Sequence, residues 1–240
     1  MVQLAHGRQQ ARPGAIPIDW FDPCLDGVKI MSNSAAQTDS GPRLAQGNPF
    51  STRHIQPGAI PFQFAPGPKE KQLFDRLWDM GLWGQIVGPH GSGKSTLLHL
   101  LARHAGRSGI NMVRFDLHDR QRKMPHRWKE FVWNSFEKGR STMVVVDGYE
   151  QLTPFVQWRL KRACRHRRWG LLVTAHCDAD LPHLYRTLTH IDLAHQLVRY
   201  VLPDDESRFG PDLIAKIFRR HEGNLRDVFS DLYDRYERLR

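Results

Sequence analysis

Residues 88 to 96 read G-P-H-G-S-G-K-S-T, a full match to the phosphate-binding pattern G-x-x-x-x-G-K-[ST]. They directly follow the apolar stretch Trp83, Gly84, Gln85, Ile86, Val87. A phosphate chain brings several negative charges together. The backbone N–H groups of a glycine-rich turn opening a helix can meet them without a cage of side chains. Gly88, Gly91 and Gly93 permit that close backbone approach, with Pro89, His90 and Ser92 filling the intervening turn. Lys94 has the length to reach β and γ phosphates, and the Ser95 hydroxyl is placed for the Mg²⁺ that bridges them. Thr96 is expected to start the helix proper, and residues 97 to 103 continue with apolar side chains at helical spacing. The run points to a nucleotide binder.

A second chemical feature lies about fifty residues on. Residues 142 to 147, T-M-V-V-V-D, form a β-branched run ending in an acid, the pattern of a strand buried on both faces. At the end of such a strand Asp147 could hold the Mg²⁺ hydration shell opposite Ser95. The next residue is Gly148. The nearest acid is Glu150, a candidate base if the turn aims it at the γ-phosphate; the alternative is an exposed acid on a turn.

These two segments make the chain resemble the P-loop NTPases of the AAA+ and related ring-ATPase type over roughly residues 70 to 240. The resemblance implies a P-loop three-layer α/β sandwich with a mostly parallel sheet and a short C-terminal helical lid. It also implies ATP and Mg²⁺ as ligands. In that family a Glu that polarises the attacking water usually follows the strand-end acid at once; here Gly148 stands in that place. Thr174 or His176, at the end of a later strand, matches the family's polar sensor of the γ-phosphate, or else is strand-end packing. The segment H-E-G-N-L-R-D at 221 to 227 resembles the family's lid helix, which makes Arg226 a candidate second sensor; the alternative is a solvated pair with Glu222. Residues 85 to 98 also look like the opening of a transporter-type ATPase, but no L-S-G-G-Q type motif occurs between 97 and 146.

The elements that must position these groups can be read from periodicity. Residues 69 to 80 carry one-faced helical spacing through Leu73, Leu77 and Met80. Strands are expected at 84 to 87, 111 to 117, 142 to 147, 170 to 175 and 197 to 202. Helices are expected at 127 to 138 and 153 to 168, the latter with Thr153 as cap and Pro154 at its first position. In the C-terminal part they fall at 211 to 221 and 224 to 239. Strands alternating with helices predict an α/β parallel sheet with ligands at the carboxyl ends of its strands.

Residues 1 to 68 are rich in Gly, Pro, Ser, Gln and Ala and read as largely disordered. Two apolar islands interrupt them, at 16 to 21 and at 48 to 64, the second being the better candidate for ordered packing. Translation from Met31 is an alternative that would account for the composition of the first thirty residues. The resulting division is an N-terminal segment 1–68, a nucleotide-binding core 69–202 and a helical lid 203–240.

The net charge is +10, and the core alone holds 22 basic against 12 acidic side chains, so the whole excess lies there. Such a surface concentrates polyanions. Arg159, Lys161, Arg162, Arg165, Arg167 and Arg168 fall within ten residues without an acid, beside Phe155 and Trp158. That helix suits nucleic acid, a solvated face, or an arginine reaching a neighbouring subunit's nucleotide; Arg186 is a further candidate for the last role. Lys123, Arg127 and Lys129 form a looser cluster beside Trp128.

The three cysteines, Cys24, Cys164 and Cys177, cannot all pair, and the 13 histidines lack metal-ligand spacing. No run approaches the roughly 18 apolar residues of a membrane span, and no signal peptide order is present. The expectation is a cytoplasmic ATPase that couples nucleotide state to a protein partner, a homo-oligomer or nucleic acid. An ATP-gated switch without useful turnover and a small-molecule kinase are the competing classes.

Overall fold

The computed structural model describes residues 28–31, 47–64, 70–118, 120–134, 140–203 and 209–239. The apolar island at 16 to 21 and Cys24 lie outside the described residues, as do the last residues of the helix expected at 127 to 138.

In chain order the elements are β1 (Val28–Met31), α1 (Thr52–Ile55), α2 (Glu70–Asp79), β2 (Trp83–Val87), α3 (Lys94–Arg107), β3 (Asn111–Asp116), α4 (Trp128–Asn134), β4 (Thr142–Asp147), α5 (Pro154–Arg167), β5 (Gly170–Ala175), β6 (His183–Arg186), α6 (Ile191–Val201), α7 (Pro211–Arg220) and α8 (Leu225–Arg238). The sheet runs β1-β3-β4-β5-β2-β6. Its last five strands are all parallel, and β1 lies antiparallel along the β3 edge. The α/β parallel sheet expected from the alternation of elements is therefore present.

Its strands are buried on both faces, as their continuous apolar runs require. Met143, Val145 and Leu172 point into one apolar cluster with Leu73 and Leu77 of α2 and Leu97 and Leu101 of α3. Val144, Val146, Leu171 and Val173 point the other way, onto Val132 of α4 and Leu160 and Cys164 of α5. One-residue alternation along each strand thus divides the core into two layers of packing, one on each side of the sheet.

A third cluster holds the C-terminal helices. Ala194, Leu197 and Val198 of α6 pack with Ile214 and Ile217 of α7 and with Val228, Phe229 and Leu232 of α8. Phe50 and Ile60 from the N-terminal segment complete it. The expected strand at 197 to 202 is thus a helix. The reason lies in the spacing of Ile191, Ala194, Leu197, Val198 and Val201, which fits one face of a helix; a window begun at Leu197 truncates that pattern to a short apolar run.

Two strands had no sequence expectation. β6 is four residues long and only Leu184 is buried in it, so its apolar signal is weak. β1 lies within the segment read as largely disordered. Within that segment, Asn48, Phe50 and Ile60 are buried. No helix among the described residues is long and apolar enough to cross a membrane. Cys164 is buried and Cys177 exposed, both as free thiols.

Candidate functional site

Residues 88 to 93 connect the carboxyl end of β2 to α3, which begins at Lys94, two residues before the expected start. Its N-cap, Gly93, gives no side-chain cap, so the first-turn N–H groups are left for other partners. The loop is pinned from within. The Ser92 hydroxyl donates to the Pro89 carbonyl at 2.8 Å, and its oxygen lies 2.6 Å from the Thr187 hydroxyl beyond β6. At Gly91 (φ 68°) a Cβ would fall 1.8 Å from Oδ1 of Asn224, the N-cap of α8. Only glycine admits that contact between the loop and the C-terminal helices.

Lys94 Nζ donates to the carbonyls of Gly88 and Pro89, both at 2.7 Å, and lies 3.3 Å from His176 Nδ1. Burial holds its amino group below the usual lysine range, against the opposing pull of Glu150 and Asp147; the cation of Arg226 adds to the lowering. Phosphate oxygens arriving at the loop would compete with these carbonyls for the ammonium protons.

Ser95 and Asp147, 52 positions apart, are in contact: the hydroxyl donates to Oδ2 at 2.7 Å. Arg114 on β3 donates to the same oxygen from Nη2 at 2.7 Å, and Thr174 on β5 donates to Oδ1. β5 lies between β4 and β2 in the sheet, which is what sets Thr174 beside Asp147. Asp116 stands in register with Asp147 on the neighbouring strand and accepts from Arg114 Nε. Two carboxylates at adjacent strand ends are thus bridged by one guanidinium. Neither Arg114 nor Asp116 was singled out from the sequence. The available signal was two charged residues inside an otherwise buried strand.

Gly148 explains why no acid follows Asp147. Its φ is 83°, a left-handed conformation that penalises side chains, and a Cβ would approach the Leu117 carbonyl to 2.8 Å. The chain then makes a single 3-10 turn, Tyr149–Gln151, which directs Glu150 into the cavity with Lys94 and Asp147. Glu150 Oε1 lies 3.0 Å from His176 Nε2. Its other oxygen, Oε2, is buried with no hydrogen-bond partner among the described residues. A carboxylate oxygen is costly to bury unpaired, so this atom is suited to a water or ligand group in the cavity.

His176 faces His90 with ring centroids 3.6 Å apart. Burial, then the nearby Lys94 ammonium, holds its imidazole below the usual histidine range. The neutral ring is therefore favoured in the folded protein at neutral pH. Arg226 lines the same cavity, and no ion pair with Glu222 forms among the described residues. Thr96, His90 and Arg186 also line it.

The cavity has a volume of about 880 Å³. Its polar lining includes the loop, Asp147 and Glu150, and its apolar lining includes Ile60 and Phe62 of the N-terminal segment, Leu193 and Leu197 of α6, and Leu225 and Phe229 of α8. Among the described residues no group of three or more His, Cys, Asp or Glu side chains is placed to hold a metal ion. A hydroxyl beside a single carboxylate instead fits Mg²⁺, which commonly takes one or two protein oxygens and completes its shell with water and phosphate. In comparison with known proteins, no protein-family model matches the chain and no curated protein matches it.

Proposed function

We propose that this chain is an ATP-binding P-loop protein of AAA+ type, a Mg²⁺-dependent ATPase of slow turnover that couples nucleotide state to a partner. The observation that carries the reading is convergence on one cavity. The uncapped start of α3, Lys94, the Ser95–Asp147 contact and the half-partnered carboxylate of Glu150 all meet there. The apolar side chains that line the cavity suit a base, and the polar groups suit a phosphate chain with its counter-ion.

In this reading the loop amides and Lys94 bind the β and γ phosphates, and Arg226 approaches from α8. Ser95 and Asp147 hold Mg²⁺, which when bound would neutralise phosphate charge. Arg114 and Thr174 fix the Asp147 carboxylate, and His176 fixes one oxygen of Glu150. The free oxygen, Oε2, takes the proton from the attacking water. A second reading, an ATP-gated switch with little hydrolysis, is favoured by Gly148, since the acid that the family places next to the metal-side aspartate is missing.

Direct measurement of ATP binding and of phosphate release separates these readings. Lys94→Ala should weaken ATP binding by at least about tenfold, the loss of a charge-assisted contact. Glu150→Gln should keep binding and slow phosphate release by about 10²-fold or more. Unchanged ATP affinity in Lys94→Ala would overturn the nucleotide reading. Wild-type protein that binds ATP yet releases no phosphate, alone or with candidate partners, would establish the switch.

A further inference from the structure

We propose that the outer face of α5 is a binding surface for single-stranded nucleic acid. This helix turns its apolar residues inward: Leu160 and Cys164 are buried. Its outward stripe consists of Phe155, Trp158, Arg159, Arg162, Arg165 and His166, all exposed. These positions repeat at i, i+3, i+4 and i+7, so they form one band about 17 Å long at 1.5 Å per residue.

The band is organised, not merely charged. Phe155 and Trp158 are 63% and 56% exposed, a degree that needs an explanation for rings of this size. They stack on each other at 6.1 Å between centroids with planes 23° apart. Arg159 lies over Phe155 at 5.7 Å and Arg162 over Trp158 at 5.8 Å. Arg165 rests on Trp83 at 5.2 Å, and Arg167 stacks against both Trp133 and Trp169. Among the described residues, Arg159, Arg162 and Arg165 have no carboxylate ion-pair partner. Lys161 is different: its ammonium is tied to the Ala179 and Asp180 carbonyls and to the Asp180 carboxylate, so it belongs to the scaffold. A groove of about 670 Å³ is lined by Trp158, Lys161, Arg162, Arg165 and His166, with Asp180 as its one acidic group.

Two exposed rings beside three guanidinium groups supply both chemistries a single strand calls for, stacking for its bases and charge for its phosphates. A duplex hides its base faces by stacking, so it could use only the charges. An anionic membrane would use the charges too, but a helix lying in a bilayer surface needs a continuous apolar face. The apolar face of α5 is already spent on the sheet, leaving two rings outside. Single-stranded DNA and RNA share the chemistry that the band recognises.

The test uses the full chain without ATP, so its outcome is independent of the nucleotide reading. Fluorescence anisotropy would follow binding of labelled single strands of about 16 nucleotides, as DNA and as RNA, with a duplex of the same length and anionic phospholipid vesicles in parallel. Wild type should bind a single strand of at least one sugar type, more tightly than the duplex, with affinity falling steeply as salt rises. Trp158→Ala should weaken single-strand binding by about fivefold or more, and Arg159→Gln with Arg162→Gln should both weaken it and flatten the salt dependence. All these positions are exposed, so unchanged melting temperatures would show that folding is intact. Failure of wild type to bind single strands at low salt would overturn the proposal, whether or not vesicles bind. So would equal affinity for the duplex, or single-strand binding unaffected by Trp158→Ala.

Discussion

At Gly148 the backbone takes a φ of 83° with the Leu117 carbonyl close by, and the acidic group that enters the cavity comes instead from Glu150. A side chain at 148 would have both to hold the left-handed conformation and to displace a backbone carbonyl. Gly148→Ala is therefore expected to lower stability by about 1–3 kcal/mol, read as a lower denaturation midpoint with unchanged slope. A variant as stable as wild type would show that the turn relaxes freely and that the glycine is not required. Much of the site was legible at this scale because its letters are contiguous: the loop 88–93, Lys94 and Ser95 stand in one run, and Asp147 ends an unmistakable buried strand. Arg114 and Asp116 were not legible. Their meaning depends on β3 lying next to β4, and no spacing along the chain states which strands are neighbours. Nor could the sequence say that His176 would meet Glu150, since the two approach from different strand ends.

Among the elements, β2 shows most clearly how a buried polar residue can organise its surroundings. Gln85 is fully buried in the middle of this strand. Its amide donates to Asp178 Oδ1 at 2.8 Å and to the Leu181 carbonyl, and its oxygen accepts from the Ala179 N–H at 2.7 Å. One side chain thereby fixes the connection from β5 to β6 and so the edge of the sheet. Gln85→Leu would leave the Ala179 N–H and the Leu181 carbonyl without this partner, at an expected cost of about 1–3 kcal/mol in chemical denaturation. The same variant should alter acid stability. The Gln85 hydrogen bond, then those from the Asp180 N–H and His183, holds the Asp178 carboxyl down at about 2. A lowered carboxyl favours the folded state above its ordinary range, and that advantage fades as pH falls toward about 2. In Gln85→Leu the carboxyl should titrate closer to its ordinary value by NMR, with acid unfolding beginning at higher pH. An unchanged Asp178 titration would refute the coupling. Apart from α1 and α6, the helices are legible from their periodicity, as are most parallel strands; α1 lies in a segment whose composition reads as disordered, and an amphipathic helix cut at Leu197, as in α6, leaves an apolar run indistinguishable from a strand.

Across the whole molecule, Phe50 and Ile60 tie the described part of the N-terminal segment to the C-terminal helices. Phe50 is buried among Phe209, Phe229 and Tyr236, with ring centroids 5.6, 6.1 and 6.2 Å away. Asn48 Nδ2 donates to the Tyr233 carbonyl at 2.9 Å and to Glu237 Oε1 at 2.8 Å. Phe50→Ala should cost about 3–5 kcal/mol where these elements meet. Hydrogen exchange should rise in α6, α7 and α8 well before it rises in β4 and β5, whose packing is separate. Uniform acceleration across the chain would instead mean that the two clusters unfold as one. Composition alone argued for disorder in residues 1 to 68, and it could not reveal that a single phenylalanine within them has a socket of aromatic residues some 160 positions or more downstream.

The apolar lining of the cavity likewise comes from two distant stretches of the chain, Ile60 and Phe62 from one and Leu225 and Phe229 from the other. A chain is made from its N-terminus, so Ile60, Phe62, the loop 88–93 and Asp147 are all made before Leu225 and Phe229. Until residue 229 has been made and α8 has docked, the cavity lacks the lining that Leu225, Arg226 and Phe229 supply. The order of synthesis thus separates two events in time, with Lys94, Ser95, Asp147 and Glu150 made first and the α8 lining of the cavity last.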